Sequence, residues 1–317
     1  MPLGEERFID FERRIKASFK TFNEAVSRDL EKYVAADFVD WGSLQMGFRP
    51  LVQHFAADLT NVMILGANLS AKDASQIVGR NISFDPTGFA AIATMAELKQ
   101  RVIAALQAQQ AEALMEMRRI ANQVTPIRSA KMIKETLTLT GRQVSAIDNF
   151  RRMLEDLDGE ALRRKLRDKR FDPTIARAID TNTGLTTDQV DRMVSRYAER
   201  QLAFRAETIA ATEAVRIANE AEDLFYRQAV EQGDLEEEQI LRKWVTSKDE
   251  KVRPSHRFAQ GQIRGLKEQF ITGDGNLLRF PGDPRAPASD TIRCRCWVST
   301  DVKELGLGVG LAVAAAG

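Results

Sequence analysis

The sequence contains few of the residues that most often carry metal or nucleophilic chemistry. Its 317 residues include two cysteines, two histidines and three tryptophans. Two cysteines cannot form a disulfide framework, which favours synthesis in a reducing compartment, the cytoplasm. No segment reaches the run of about 18 apolar residues that a membrane helix needs. The N-terminus is charged from residue 5 and has no apolar secretory-signal core, so we expect a protein without membrane partners.

The chain also lacks an excess of either charge. Its net charge is +1, with 44% hydrophobic and 29% charged residues, which is typical of a soluble globular protein of one or two domains. The balance is uneven along the chain, because residues 242–296 hold 12 Lys or Arg and 6 Asp or Glu. Such a basic segment suits contact with nucleic acid or an acidic protein surface, and equally a solvated face with no partner.

Apolar residues at three- and four-residue steps predict one amphipathic helix over residues 7–40. This stripe is rich in phenylalanine, and we interpret it as core in preference to a docking groove; it comprises Phe8, Phe11, Ile15, Phe19, Phe22, Val26, Leu30 and Val34. Residues 41–85 are punctuated by glycines and Pro50, which indicates a small strand-containing insert or turns between short helices.

Strong helix formers dominate residues 85–231. Thr140 with Gln143, and Thr186 with Gln189, have the spacing of capping boxes that start helices. Glycines and prolines then exclude long helices after about residue 240. There we expect a short helix around 256–263, capped by Ser255, and strands at 242–247, 277–280 and 295–300.

These patterns predict a mostly α protein in which a helical body precedes a small α+β C-terminal module. We expect an N-terminal helix plus irregular segment over 1–84, the helical body over 85–235, and the module over 236–300. A flexible or docked tail is expected over 301–317, because that segment is uncharged and rich in glycine and alanine.

Scarce residues are concentrated in the module, which contains both cysteines, one histidine and two tryptophans. They form an ordered series: Trp244, Asp249, Arg253, His256, Gly261-Gln262, Pro281, Asp283-Pro284 and Cys294-Arg295-Cys296. With the preceding helical segment AETIAATEAVRIANE, this series resembles the C-terminal domain of phage Mu F-like minor head proteins, the phage head morphogenesis domain. The resemblance runs from about Thr183 to Val298, and by helical pattern alone back to about Asp85. In relatives Asn often stands where this chain has Arg293.

The resemblance implies a minor structural protein of a tailed-phage head, made in the host cytoplasm and located in the virion near the portal vertex. It implies the portal protein as partner, with the major capsid protein, scaffold protein or packaged DNA as further candidates. Roles in procapsid assembly, DNA packaging or DNA delivery follow from the same resemblance. It implies no enzymatic activity.

The cysteines and His256 allow two interpretations of their chemistry. In one, Cys294, Cys296 and His256 supply three ligands of a Zn²⁺ site, with Asp249 or Asp290 as a fourth. Zinc would help a small unit with little core to fold. In the other, which we favour, the cysteines are buried apolar residues or free thiols and no cofactor is bound. His54 is far away in sequence and is interpreted as a surface or core-edge residue.

Two further functions remain open. A metal-dependent hydrolase or toxin-like enzyme would need His256 and the cysteines to converge, since Cys–His pairs can form a nucleophile and its base. A DNA-binding module would be sequence-independent and salt-sensitive, because no recognition motif is present. Its phosphate contacts, or contacts to an acidic surface, would be Arg253, Arg257, Arg264, Lys267, Arg279, Arg285 and Arg295.

Overall fold

The computed structural model describes residues 3–35 and 38–303. The α-helices are α1 (Leu3–Leu30), α2 (Trp41–Val78), α3 (Phe89–Ala121), α4 (Pro126–Thr136), α5 (Gly141–Glu155), α6 (Asp172–Asp180), α7 (Thr187–Glu231), α8 (Pro254–Ala259) and α9 (Ala288–Thr291). The strands are β1 (Ile240–Val245), β2 (Ile263–Gly265), β3 (Phe270–Ile271), β4 (Leu277–Leu278) and β5 (Trp297–Val302). All five strands of the described residues follow α7, so the prediction of a mostly α chain with a small α+β C-terminal module is confirmed. Among the described residues, no helix is both long and apolar enough to span a bilayer.

The described residues fall into two compact units. Among the described residues, the first unit draws on 3–14, 59–96 and 211–303, and the second on 15–35, 38–58 and 97–210. Each unit therefore combines segments that are distant in sequence. The predicted divisions after residues 84 and 235 stay predictions. The predicted tail lies outside the described residues from position 304 onward, whereas residues 301 and 302 belong to β5.

The phenylalanine stripe of α1 is core, as its spacing indicated. Phe11, Phe19 and Phe22 are buried, and so are the aliphatic residues of the stripe: Ile15, Val26, Leu30 and Val34. In the second unit, the Phe19 ring lies 5.5 Å from that of Phe55 and 5.6 Å from that of Phe22. The predicted extent of the helix was wrong, because α1 ends at Leu30 and a 3-10 turn and an isolated bridge follow it.

The irregular segment predicted for residues 41–85 is also wrong, since α2 runs unbroken from Trp41 to Val78. Gly47 and Gly66 of this helix allow neighbouring side chains to pack closely and do not form turns. A Cβ on Gly47 would stand 2.6 Å from a methyl of Leu30, and one on Gly66 would stand 2.9 Å from the Cβ of Ala221. Contacts this short exclude any larger residue without movement of the neighbouring side chain, which explains glycine in a helix where it is otherwise unfavourable.

The helices of the second unit begin where the capping signals predicted. Thr140 caps α5 and exchanges hydrogen bonds with Gln143 in a complete capping box. Thr186 and Gln189 form the same pair of bonds, at 2.9 and 3.2 Å, just before α7. Between these helices Asp191 accepts hydrogen bonds from Lys131 at 2.8 Å and Arg151 at 2.6 Å. Two local sequence signals therefore fix the starts of two helices.

The C-terminal module predicted over 236–300 contains a three-stranded antiparallel sheet in the order β2-β1-β5, whose last strand continues to Val302, and a separate β3–β4 hairpin. Along β1 the residues Ile240, Arg242 and Trp244 are buried while Lys243 is exposed, as strand alternation requires. The short helix α8 begins at Pro254 after Arg253, so the predicted Ser255 cap is wrong. Proline suits this first position because its missing N–H has no partner within a helix.

Candidate functional site

Three scarce side chains of the module meet at one buried point. His256 lies on α8, and Cys294 and Cys296 lie between α9 and β5. The His256 Nδ1 atom is 3.5 Å from the sulfur of Cys294 and 3.5 Å from the sulfur of Cys296. These side chains are 1%, 1% and 2% exposed, and their ligand atoms all lie within 4.8 Å of one another. The sequence hypothesis that they converge therefore has a geometric basis.

A turn positions the two cysteines. Arg293 has a φ of +53°, in the left-handed region where asparagine and glycine are favoured over most residues. Its N–H donates to the Thr212 hydroxyl on α7 at 3.0 Å. The backbone then reverses, and the Cys296 N–H lies 3.5 Å from the Cys294 sulfur. The conformation explains how asparagine would suit this position in related proteins.

The two thiols differ in their tendency to lose a proton. The hydrogen bond with Cys296 lowers the pKa of Cys294; burial opposes this effect and His256 adds to it. The contact with Cys294, together with burial, raises the pKa of Cys296 against a smaller opposite effect of the Trp244 N–H. The contact between the two sulfur atoms therefore shifts the pKa values of the two thiols in opposite directions.

A buried carboxylate lies on the other side of the imidazole. The His256 Nε2 atom is 3.4 Å from Asp290 Oδ1, and both side chains are 1% exposed. Asn276 donates to the second oxygen of Asp290 at 2.8 Å. The Trp244 ring packs edge-on against the imidazole with a centroid distance of 5.4 Å. Asp290, which the sequence suggested only as an alternative fourth ligand, is thus next to the far nitrogen of His256.

Asp249, the other predicted ligand, is elsewhere. It is exposed and bonded to Arg295, which lowers the pKa of its carboxyl group. Among the described residues, no fourth histidine, cysteine or carboxylate joins the group of His256 and the two cysteines. The structure therefore brings together three of the four predicted ligands, and Asp249 pairs with a different partner.

The remaining motif residues shape the backbone. The N–H of Gly261, whose φ is +81°, donates to the Trp244 carbonyl at 2.9 Å, and Gln262 donates to the Ile271 carbonyl at 2.7 Å. Asp283 is buried and accepts from both the backbone and the guanidinium of Arg279. Burial raises the pKa of Asp283, but the bonds from Arg279 outweigh it and hold that pKa below its ordinary value. Arg253 donates to the Ile292 carbonyl.

The segment around Pro281 and Asp283 is attached to α7. Asn219 of α7 donates to the Pro281 carbonyl at 3.1 Å and accepts from the Val298 N–H at 2.9 Å. Arg216 donates to the Gly282 carbonyl at 3.3 Å. A Cβ on Gly282 would stand 3.2 Å from the Cα of Arg216, so glycine permits this approach. α7 and the ordered motif therefore form one hydrogen-bonded arrangement.

One family model matches the part of the chain that contains both α7 and the ordered motif. Residues 169–299 match the family model described as Phage Mu protein F like protein. The resemblance drawn from the ordered motif is thereby confirmed, and the match suggests a protein of phage head morphogenesis. No curated protein and no solved structure gives a match. We call residues 169–299 the Mu F-like segment.

Arg242 is a buried side chain of the Mu F-like segment that donates hydrogen bonds to four other residues, and the sequence analysis did not identify it. Its guanidinium is 2% exposed and donates to the Asp223 carboxylate on α7 at 3.1 Å. It also donates to the carbonyls of Gly265 at 2.9 Å, Glu268 at 2.6 Å and Arg279 at 3.1 Å. The available signal was its position two residues before Trp244 on a strand, which places a charge on the inward face.

The basic residues proposed for phosphate contact are largely engaged within the Mu F-like segment. Lys267 pairs with Glu237, Arg279 with Asp283, and Arg295 with Asp249. Others donate to backbone carbonyls: Arg253 to Ile292, Arg257 to Glu250, and Arg264 to Gln269. Arg285 is exposed. Most of these basic side chains therefore either pair with a carboxylate or donate to a backbone carbonyl of a loop.

A separate cavity of about 400 Å³ lies in the first unit and includes Arg7, Asp73, Glu222 and Tyr226 in its lining. Arg7 pairs with Asp73, and the Thr300 hydroxyl donates to Glu222. Burial raises the pKa of Glu222 to about 7, against the opposing effects of Thr300 and Arg7. Burial likewise raises the pKa of Tyr226. The cavity therefore contains a carboxyl group that changes charge near neutral pH.

We expect Glu222→Gln to make the chain more stable at pH 8 and to leave it almost unchanged at pH 4. A carboxyl whose pKa is raised on folding stabilises the folded chain fully below its unfolded pKa of 4.5, and that contribution is lost as pH rises from there through about 7. The gain at pH 8 should be about 1–3 kcal/mol. Urea midpoints between pH 4 and 8 measure it, with exposed Glu24→Gln as the control. Parallel pH profiles for Glu222→Gln and the unsubstituted protein would contradict the expectation.

Proposed function

We propose that this protein is a minor structural component of a tailed-phage head that associates with the portal vertex. It acts there in procapsid assembly, DNA packaging or DNA delivery. The observation that carries the proposal is the match of residues 169–299 to the Phage Mu protein F like family, together with the ordered motif within it. The match suggests head morphogenesis, and the portal as partner is the finer statement that we add.

The chemistry of the motif supports a structural role. The Gly261 N–H and the side chains of Gln262, Asp283 and Arg253 bond to backbone groups of the module and hold its loops in place. A nucleophile must reach its substrate, whereas Cys294, Cys296 and His256 are each at most 2% exposed. These features favour a component of an assembly over an enzyme acting on a free substrate.

Co-expression with the portal protein of the same phage tests the proposal. We expect the two proteins to co-purify, and the chain to be present in heads purified from infected or induced cells. The portal protein of an unrelated phage serves as the control for non-specific association. Two folded proteins that do not associate, together with purified heads that lack the chain, would overturn the proposal.

A further inference from the structure

The arrangement around His256 has a feature that hydrogen bonding within the chain does not explain. Two sulfur atoms, from Cys294 and Cys296, lie at the same distance of 3.5 Å from one nitrogen, His256 Nδ1. A ring nitrogen carries one proton or one lone pair, so it makes one good hydrogen bond along that direction. A single positive centre between the three atoms would satisfy all of them at once.

The distances fit coordination of one metal ion. Zinc lies about 2.3 Å from thiolate sulfur and about 2.0–2.1 Å from imidazole nitrogen in tetrahedral sites, which places the two ligand atoms roughly 3.6 Å apart. The two N–S distances here are 3.5 Å, and all three ligand atoms lie within 4.8 Å of one another. The two N–S distances therefore match two edges of one coordination tetrahedron.

The surroundings supply the outer partners that such a site requires. Ligating histidines donate their second ring N–H to a carboxylate or carbonyl, which fixes the ring. Here Nε2 of His256 lies 3.4 Å from Asp290 Oδ1, and neither atom makes a hydrogen bond. The N–H of buried Trp244 acts on Cys296, whose pKa it lowers, and makes no other hydrogen bond. A thiolate is the kind of acceptor that such a buried N–H needs.

We propose that His256, Cys294 and Cys296 bind one Zn²⁺ ion, with Asp290 orienting the imidazole and water as the fourth ligand. Thiolate and imidazole ligands favour zinc over the oxygen-seeking cations magnesium and calcium. The fourth ligand is water because, among the described residues, no further histidine, cysteine or carboxylate joins the group. Water as the fourth ligand is the coordination of an open site, but the burial of all three protein ligands keeps a macromolecular substrate away, so we assign the ion a structural role. The ion would connect α8 to the segment between α9 and β5, where Cys294 lies 38 residues after His256.

Metal analysis of the purified full-length protein tests this proposal. We expect the protein expressed with zinc to retain about one zinc per chain after gel filtration, as a structural site requires. Substituting Co²⁺ for zinc should give a thiolate-to-cobalt charge-transfer band and visible bands of tetrahedral cobalt. Chelation should lower the melting temperature, and returning zinc should restore it.

Variants distinguish this site from adventitious binding. Cys294→Ser and Cys296→Ser should lose the zinc and the charge-transfer band, whereas Asp249→Asn should keep both. Asp290→Asn should weaken zinc affinity about 10- to 100-fold with the charge-transfer band retained at saturating metal. Equal zinc content in the wild type and both cysteine variants would mean an adventitious ion only and would overturn the proposal. If the cysteine variants do not fold, absence of the charge-transfer band in the cobalt-loaded wild type overturns it independently.

Discussion

Replacing Arg242 with methionine should destabilise the C-terminal module by about 3–5 kcal/mol, because it removes the buried cationic partner of Asp223 together with a hydrogen-bond donor to three carbonyl groups. Asp223 is 5% exposed and would keep only its more exposed neighbour Arg227 at 2.8 Å and the distant Arg279 at 3.9 Å. The carbonyl groups that would each lose one donor are those of Gly265, Glu268 and Arg279. Methionine keeps much of the volume of arginine, so the loss reports chiefly on charge and hydrogen bonds.

The measurement is urea unfolding followed by tryptophan fluorescence in a Trp41→Phe background, where the remaining tryptophans, Trp244 and Trp297, lie in the module. Lys243→Met is the matched control, since Lys243 is the exposed neighbour on the same strand and should change stability by less than about 0.5 kcal/mol. A double variant with Asp223→Ala should lose less than the sum of the single losses, as coupled sites do. Equal midpoints for Arg242→Met and Lys243→Met would show that the buried network contributes nothing.

Arg242 illustrates which part of the site the sequence can reveal. Strand alternation in β1 predicts that Arg242 and Trp244 share one face, so a buried cation could be suspected from residues 240–245 alone. Its partners lie on α7 and on the loops around β2 and β4, between 19 and 37 residues away. Nothing local specifies that convergence. A count of basic residues over 242–296 instead suggested a surface charge.

The candidate metal ligands show the same difference between what local sequence predicts and what the fold brings together. Spacing brings Cys294 and Cys296 together, because two residues apart is short in any backbone conformation. Their approach to His256 was inferred from scarcity, and the fold supplies it. No feature of the sequence distinguishes Asp249 from Asp290 as a ligand, since Asp249 lies 7 residues before His256 and Asp290 lies 4 residues before Cys294. The choice depends on Arg295, which pairs with Asp249, and on Asn276, which holds Asp290.

The clearest error of the sequence interpretation concerns α2. Glycine and proline usually interrupt helices, and residues 41–85 contain several. Gly47 and Gly66 instead lie next to the side chains of Leu30 and Ala221. An added Cβ atom would be only 2.6 Å and 2.9 Å from these side chains. Whether a glycine marks a turn or a close contact depends on a partner that is distant in the chain, so composition could not decide it. The periodicity of α1 was informative because one helix face alone sets it.

Replacing Phe19 with alanine should destabilise the second unit by about 3–5 kcal/mol, the usual cost of removing a fully buried phenylalanine ring from a core. Phe19 is 0% exposed, and its ring packs against those of Phe22 and Phe55. Truncation leaves a cavity among aromatic rings that the surrounding helices cannot easily close. The same experiment decides between the two interpretations of the stripe, because a docking face would lose association and keep stability.

Urea unfolding followed by helical circular dichroism measures the effect, and Phe38→Ala serves as the matched control. Phe38 belongs to the same unit but is 67% exposed, so its truncation should cost less than about 0.5 kcal/mol. Phe19→Ala should lower the urea midpoint, whereas Phe38→Ala should leave it almost unchanged. If Phe19→Ala left the midpoint intact and abolished co-purification with the portal protein, the stripe would be a docking face. The burial of Phe11, Phe19 and Phe22 together leads us to expect the loss of stability, because a face already covered by its own chain is not free to bind another.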